Sequence, residues 1–360
     1  NAILTSANLQ GNGGDDQLTG GGGNDILDGG DGDDDLKGGS GDDIILGGSG
    51  NDFLTGGLGG DLLDGGDGFD TVSYANTSLT FGVKILFDAN GNQLNGTAGE
   101  ALGDTLKNVE YIIGTQYQDF IEGDNGQNVL EGGAGNDLLF GFGGDDIIQG
   151  GAGADTMDGG DGNDWTSYIE SKAGVNVNLE TQQGTGGDAD GDILRNLENV
   201  KGSIYDDRLT GNSANNYLDG SGGDDTIDGS LGSDTIDGGA GIDTLRYSRL
   251  PQAVTVNLKD GTTNKGDTIL MAKMVVGDGE VFVPNLSSIE NLEGTLFDDI
   301  LGGDIGDNLL VGLAGNDRIS GDDGNDRIIG GKGADILDGG AGIDWAEYSS
   351  SRSGVNVNLR

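Results

Sequence analysis

Apolar residues recur at intervals of nine, from Leu18 through Leu27, Leu36, Ile45, Leu54 and Leu63 to Val72. No other feature constrains the fold as tightly. Each is position eight of a window reading G-G-x-G-x-D-x-U-x, with U a large aliphatic residue, as in Gly20-Gly21-Gly22-Gly23-Asn24-Asp25-Ile26-Leu27-Asp28. The register returns at 114–167, 202–246 and 294–347, making 24 windows. Polar neighbours around position eight give the in–out alternation of a three-residue strand. So short a strand must stack on copies of itself, roughly 4.8 Å apart, to bury its aliphatic residue. The expectation is an all-β fold: an elongated parallel β-roll or β-helix solenoid.

The other positions carry chemistry. Glycine at positions one, two and four lets the chain turn sharply and leaves its carbonyls accessible. Position six is Asn at Asn128, Asn216 and Asn308, each in the second window of a block. In the other 21 windows it is aspartate. In the first block these are Asp16, Asp25, Asp34, Asp43, Asp52, Asp61 and Asp70, and in the second Asp119, Asp137, Asp146, Asp155 and Asp164. The third block has Asp207, Asp225, Asp234 and Asp243, and the fourth Asp299, Asp317, Asp326, Asp335 and Asp344. Stacking puts these carboxylates in rows whose repulsion calls for a bridging cation. Carboxylate and carbonyl oxygens, without sulfur or imidazole, suit Ca²⁺ before Mg²⁺. The three Asn windows are expected to hold weakened or absent sites. Merely soluble Asp/Gly loops would not keep a nine-residue register.

Windows such as Gly132-Gly133-Ala134-Gly135-Asn136-Asp137-Leu138-Leu139-Phe140 resemble the calcium-binding nonapeptide of the RTX (repeats-in-toxin) proteins. The resemblance implies a roll with two windows per turn, each Ca²⁺ lying between one G-G-x-G-x-D loop and the loop two windows later. By that rule about sixteen ions bind here. The resemblance also implies export through a type I secretion machine, with folding triggered by extracellular calcium.

Composition agrees with a metal-dependent fold. With 63 acidic against 17 basic residues the formal charge is −46, and 77 glycines add backbone entropy to that repulsion. About sixteen Ca²⁺ ions would leave roughly −14, an ordinary charge for a soluble protein. Without a basic face no nucleic-acid partner is expected, and no apolar run is long enough to span a membrane. Residues 1–10 lack the pattern of a cleavable signal peptide. The chain has no cysteine and no histidine, which removes disulfides, thiolate sites, zinc-protease helices and histidine triads. No catalytic constellation is left, so the chain is read as a non-enzyme.

The repeat blocks at 1–73, 114–167, 202–246 and 294–347 are separated by interludes at 74–113, 168–201 and 247–293, and 348–360 begins a fourth. Each interlude opens on D-x-x-x-Y: Asp70 to Tyr74, Asp164 to Tyr168, Asp243 to Tyr247 and Asp344 to Tyr348. An alternating strand follows at Val83–Phe87, Val175–Leu179, Val254–Leu258 and Val355–Leu359. Then come Leu106-Lys107-Asn108-Val109-Glu110, Leu194-Arg195-Asn196-Leu197-Glu198 and Leu286-Ser287-Ser288-Ile289-Glu290. We read the interludes as wider coils with Val, Ile and Leu inward. Their tyrosines, with Trp165 and Trp345, are expected to cap the stack rather than to stack on sugars. Asp188-Ala189-Asp190-Gly191-Asp192 superficially matches an EF-hand loop but lacks Glu at its twelfth position, Asn199, and is expected to be a β-loop. Met271–Val276 and Gly277–Glu280 are expected to be a variable loop.

Two functions fit. The first is a calcium-folded structural segment of a large secreted or cell-surface bacterial protein of adhesin, surface-layer or extracellular filament type. The alternative is a set of non-catalytic modules on a secreted enzyme such as an alginate epimerase, protease or lipase, with polysaccharide binding through the interlude aromatics. Partners are then calcium, with extracellular polysaccharide or self-association as further possibilities. The chain reads as a fragment of a longer array.

Overall fold

A computed structural model describes residues 5–76, 79–87, 94–263, 268–269, 271–276 and 279–348. The fold is an all-β parallel solenoid with only two short 3₁₀ turns, at Gly99–Ala101 and Gly187–Ala189, among the described residues. Contacts divide it into two compact units, Asn1–Tyr168 with Gln182–Leu197, and Ile169–Thr181 with Glu198–Arg360. Both units are built from the same rung.

In the first unit Ile26–Asp31 pairs in parallel with Ile44–Ser49, which pairs with Leu62–Asp67, so that Leu27, Ile45 and Leu63 form one column. Gln17–Gly22, Asp35–Ser40 and Phe53–Leu58 form the facing sheet, aligning Leu18, Leu36 and Leu54. Partners are eighteen residues apart, which is two nonapeptides per turn. Alternation sends position eight inward: Leu27, Leu36, Ile45, Leu54 and Leu63 have no exposed surface. Burying each contributes about 1.5–3 kcal/mol, which is why a rung this thin can exist only inside a stack.

These strands are six residues long, running from position seven through position three of the next window, because the glycine pairs also align: Gly30 lies opposite Gly48. In the second unit nonapeptide strands such as Arg208–Thr210, Thr226–Asp228 and Thr244–Arg246 keep the three residues expected.

The first and third interludes do not interrupt the stack within their units. Leu63 pairs across the first one with Leu106, and Val72 with Ile112. The strand at Lys84–Phe87 lies parallel to Phe120–Glu122, with Ile85 opposite Ile121. It also pairs antiparallel with Leu94–Ala98, which folds back on Thr105–Lys107. The coil is thus widened by an antiparallel return strand. In the second unit Asn176–Asn178 lies on Arg208–Thr210, and Thr255–Asn257 on Ile300–Gly302. Val83, Val175, Val177, Val254, Val256 and Leu258 are buried, as the alternation requires. Met271–Val276 is not a loop but pairs antiparallel with Gly279–Ser287. Gly277 and Asp278 lie outside the described residues, as does the strand expected at Val355–Leu359.

Candidate metal centre

Each turn between strands presents its position-six aspartate inward. The two carboxylate oxygens have different fates. Oδ1 accepts the backbone N–H of the aspartate one turn earlier: Asp25 donates to Asp43 at 2.7 Å, Asp34 to Asp52 at 2.9 Å, Asp43 to Asp61 at 2.8 Å and Asp52 to Asp70 at 2.8 Å. The second unit repeats this from Asp207 to Asp225 and from Asp225 to Asp243. Oδ2 is left over. In Asp16, Asp25, Asp34, Asp43, Asp52, Asp61, Asp70, Asp137, Asp146, Asp155, Asp225, Asp243, Asp317 and Asp326 that atom is buried and has no hydrogen-bond donor. Leaving a charged acceptor buried and unmet costs several kcal/mol, and native folds do not repeat such a loss along a column.

Position one shows what the space is for. A Cβ placed on Gly29 would fall on the Oδ2 of Asp34 and within 2.7 Å of the carbonyl of Gly47 in the next turn. Gly38, Gly132 and Gly312 face the same pair of groups. Only glycine leaves this cradle open, and a carboxylate oxygen without a donor meets a main-chain carbonyl there. Among the described residues no three acidic side chains gather at one point. The donor set is therefore one or two carboxylates completed by main-chain carbonyls, which suits a hard cation of flexible coordination. By this test the residues fit calcium.

The electrostatics point the same way. Burial, reinforced by neighbouring carboxylates, pushes Asp52, Asp61, Asp155, Asp317 and Asp326 up to about 6. It pushes Asp137, Asp146 and Asp243 up to about 7, and Asp225 up to about 8. Without a positive partner these groups take up protons at a higher pH than an ordinary carboxylate does.

The remaining expected ligands divide by position. At the entrance to each later block, position two is not glycine but Thr115, Ser203 or Thr295. Thr115 donates its N–H to Oδ2 of Asp119 at 2.6 Å and its hydroxyl to the same carboxylate, and Oδ1 takes the N–H of Val83. Asp207 is served likewise by Ser203 and Val175, and Asp299 by Thr295 and Val254. Asp234 has Ser230 on Oδ2 and Asn216 on Oδ1. In these four both oxygens already have donors. Asn128, Asn216 and Asn308 accept an N–H within their own turns, and the amides of Asn216 and Asn308 donate to the carbonyls of Glu198 and Glu290. The first turn of each later block is thus closed by protein groups. Asp164 is buried and takes the N–H of Asp146. Asp335 and Asp344 are half-buried and take those of Asp317 and Asp326.

The interludes supply further members of the same rows. Oδ1 of Asp104 accepts the N–H of Asp61, and its Oδ2 receives the hydroxyl of Tyr74 at 2.9 Å. Asp192 stands likewise between Asp155 and Tyr168. The segment resembling an EF-hand loop therefore delivers Asp192 to the roll. Tyr74, Tyr168 and Tyr247 are at most 2% exposed and offer no face for a sugar. Tyr348 and Trp345 are exposed.

One set of residues escapes a reading based on position six. At position five Oδ1 accepts the N–H of position five in the next turn: Asn24 from Asp42, Asp33 from Asn51 and Asp307 from Asn325. This outer ladder runs opposite to the inner one. Its sequence signal is the recurrence of Asn and Asp at position five.

The chain matches the RTX calcium-binding nonapeptide repeat over residues 7–36, 37–72, 109–139, 140–166, 201–236, 210–245, 287–319 and 311–346. No curated protein matches it in sequence. Among solved structures it is similar to a hyperactive, Ca²⁺-dependent, β-helical antifreeze protein from an Antarctic bacterium. That likeness has 18% identity and a TM-score of 0.18, over 91% of this chain and 84% of the other. The matched repeats take in well over half of the chain and coincide with the turns that present the unmet carboxylates, so this chain belongs to the RTX calcium-binding nonapeptide repeat family.

Proposed function

We propose that the chain is a non-catalytic structural segment of a secreted or cell-surface protein, of adhesin, surface-layer or filament type, whose folding is controlled by calcium. The observation that carries this reading is the column of buried Oδ2 atoms without donors, in Asp25, Asp43 and Asp61 on one edge and Asp34, Asp52 and Asp70 on the other. These carboxylates, with the position-one carbonyls, would hold Ca²⁺, which when bound supplies the positive charge that the rows lack. Asp137, Asp146, Asp155, Asp225, Asp243, Asp317 and Asp326 have the same environment and take the same role.

The role in the cell follows from the chemistry of the switch. Where calcium is scarce, −46 of net charge and a column of unmet carboxylates favour the extended chain. At millimolar extracellular calcium the rows are neutralised and the rungs close. Chelation should abolish the β-sheet circular dichroism of the chain, and calcium should restore it cooperatively. A spectrum indifferent to both would sink the proposal.

A further inference from the structure

The last aspartates of the first and third blocks have no nonapeptide above them, yet their surroundings are complete. Asp70 has no exposed surface, and its Oδ2 has no donor. In the body of the roll the next turn provides two things: a carboxylate that accepts the aspartate N–H, and a position-one carbonyl that faces Oδ2. At Asp70 the interlude provides both. Oε2 of Glu110 accepts the N–H of Asp70 at 2.8 Å. The carbonyl of Asn108, with the Oδ2 of Asp70, fills the space a Cβ on Gly65 would need.

The local backbone is built for this. Asn108 sits in the left-handed region with φ 48°, which asparagine tolerates better than most residues, and its amide is tied to Asp64 at 2.8 Å. The N–H groups of Glu110 and Tyr111 both donate to the carbonyl of Asp70, at 3.2 and 2.9 Å. The third block repeats the arrangement with different residues. Asp243 is fully buried with Oδ2 unmet, and its N–H donates to Oε2 of Glu290 at 2.7 Å. A Cβ on Gly238 would strike the carbonyl of Ser288, with the Oδ2 of Asp243 at 2.7 Å. Here the segment is pinned by the N–H of Gly238 on the hydroxyl of Ser288 at 3.0 Å.

We propose that the interlude segments ending in Glu110 and Glu290 each complete one more calcium site, against Asp70 and Asp243, outside any nonapeptide. Glutamate takes the place of the missing aspartate because its extra methylene spans a turn that is not a G-G-x-G-x-D loop. The rule that n windows hold n − 2 ions then undercounts the end of each such block. This rests on the reading of the position-six aspartates as calcium ligands.

Native mass spectrometry of the full chain in calcium tests it. Glu110→Gln should release one ion and the Glu110→Gln/Glu290→Gln double variant two, with the β-sheet spectrum kept. An unchanged ion count in the folded double variant overturns the proposal. If the variant does not fold, crystals of the unaltered chain grown with terbium decide: an anomalous peak bonded to both Asp70 and Glu110 supports the site, and its absence there, with peaks elsewhere in the column, overturns it. An unaltered chain that binds no calcium defeats the broader reading instead, so the two failures are distinguishable.

Discussion

A buried carboxylate oxygen needs a positive or hydrogen-bearing partner, and this chain offers three solutions to that one demand. Within the blocks the cradle beside a position-one glycine holds no donor, and there we propose an ion. At the entrances Thr115, Ser203 and Thr295 fill it with a hydroxyl and an N–H. At Asp104 and Asp192 a tyrosine hydroxyl fills it. Tyr74 and Tyr168 are therefore neutral partners for the carboxylates at the ends of these rows. Tyr168→Phe keeps the ring and removes only the donor, leaving Asp192, already pushed up to about 7 by burial, without a partner on Oδ2. The cost should be about 1–3 kcal/mol in urea unfolding at saturating calcium. Tyr205→Phe, at an exposed ring, should stay within about 0.5 kcal/mol. Equal effects would show that Tyr168 stabilises by packing alone. The position-six ligands are legible from their strict period. The tyrosine role is not, because Tyr74 and Tyr168 meet partners 30 and 24 residues away, outside any nonapeptide.

At the scale of the element, the rung is the unit of stability and no rung is stable alone. Leu54 lies between Leu36 and Val72 in one column, with no exposed surface. Leu54→Ala should cost about 2–5 kcal/mol, because the turns on either side are held in place by glycine contacts and cannot collapse into the gap. The same change at Leu58, 43% exposed at the rim, should cost under about 1 kcal/mol in the same denaturation series. Comparable losses at both positions would contradict a core confined to position eight. That core follows from periodicity alone, since a one-residue slip would expose Leu27 or Leu36, whereas the two-window turn is what the family resemblance implies. The return strand Leu94–Ala98 was harder to see, because its partners are irregular in composition. Its signal is Asn90-Gly91 between the two alternating stretches, a dipeptide favoured in hairpin turns. Nothing in the residues of Met271–Val276 distinguishes a strand paired with Gly279–Ser287 from a polar-flanked loop.

Taken over the whole molecule, the same carboxylates couple folding to protons. In the metal-free fold Asp225 rises to about 8, Asp137, Asp146 and Asp243 to about 7, and Asp52, Asp61 and Asp155 to about 6, burial being the first cause throughout. A carboxylate raised on folding binds its proton more tightly in the folded chain than in the unfolded one. Its contribution is therefore fully present below the unfolded value of roughly 4 and lost as pH climbs through the folded values. The window here runs from about 4 to about 8, and each group that titrates in it also adds to the repulsion behind the −46. Acid should partly replace calcium: in chelator, β-sheet circular dichroism should grow as pH falls from 8 to 5. In calcium the direction reverses, because protons and ions compete for the same Oδ2 atoms. Apparent calcium affinity should then weaken over that interval, and the midpoint of calcium-driven folding should move to higher concentration. A midpoint that stays fixed from pH 8 to 5 would mean that the ions sit away from these oxygens.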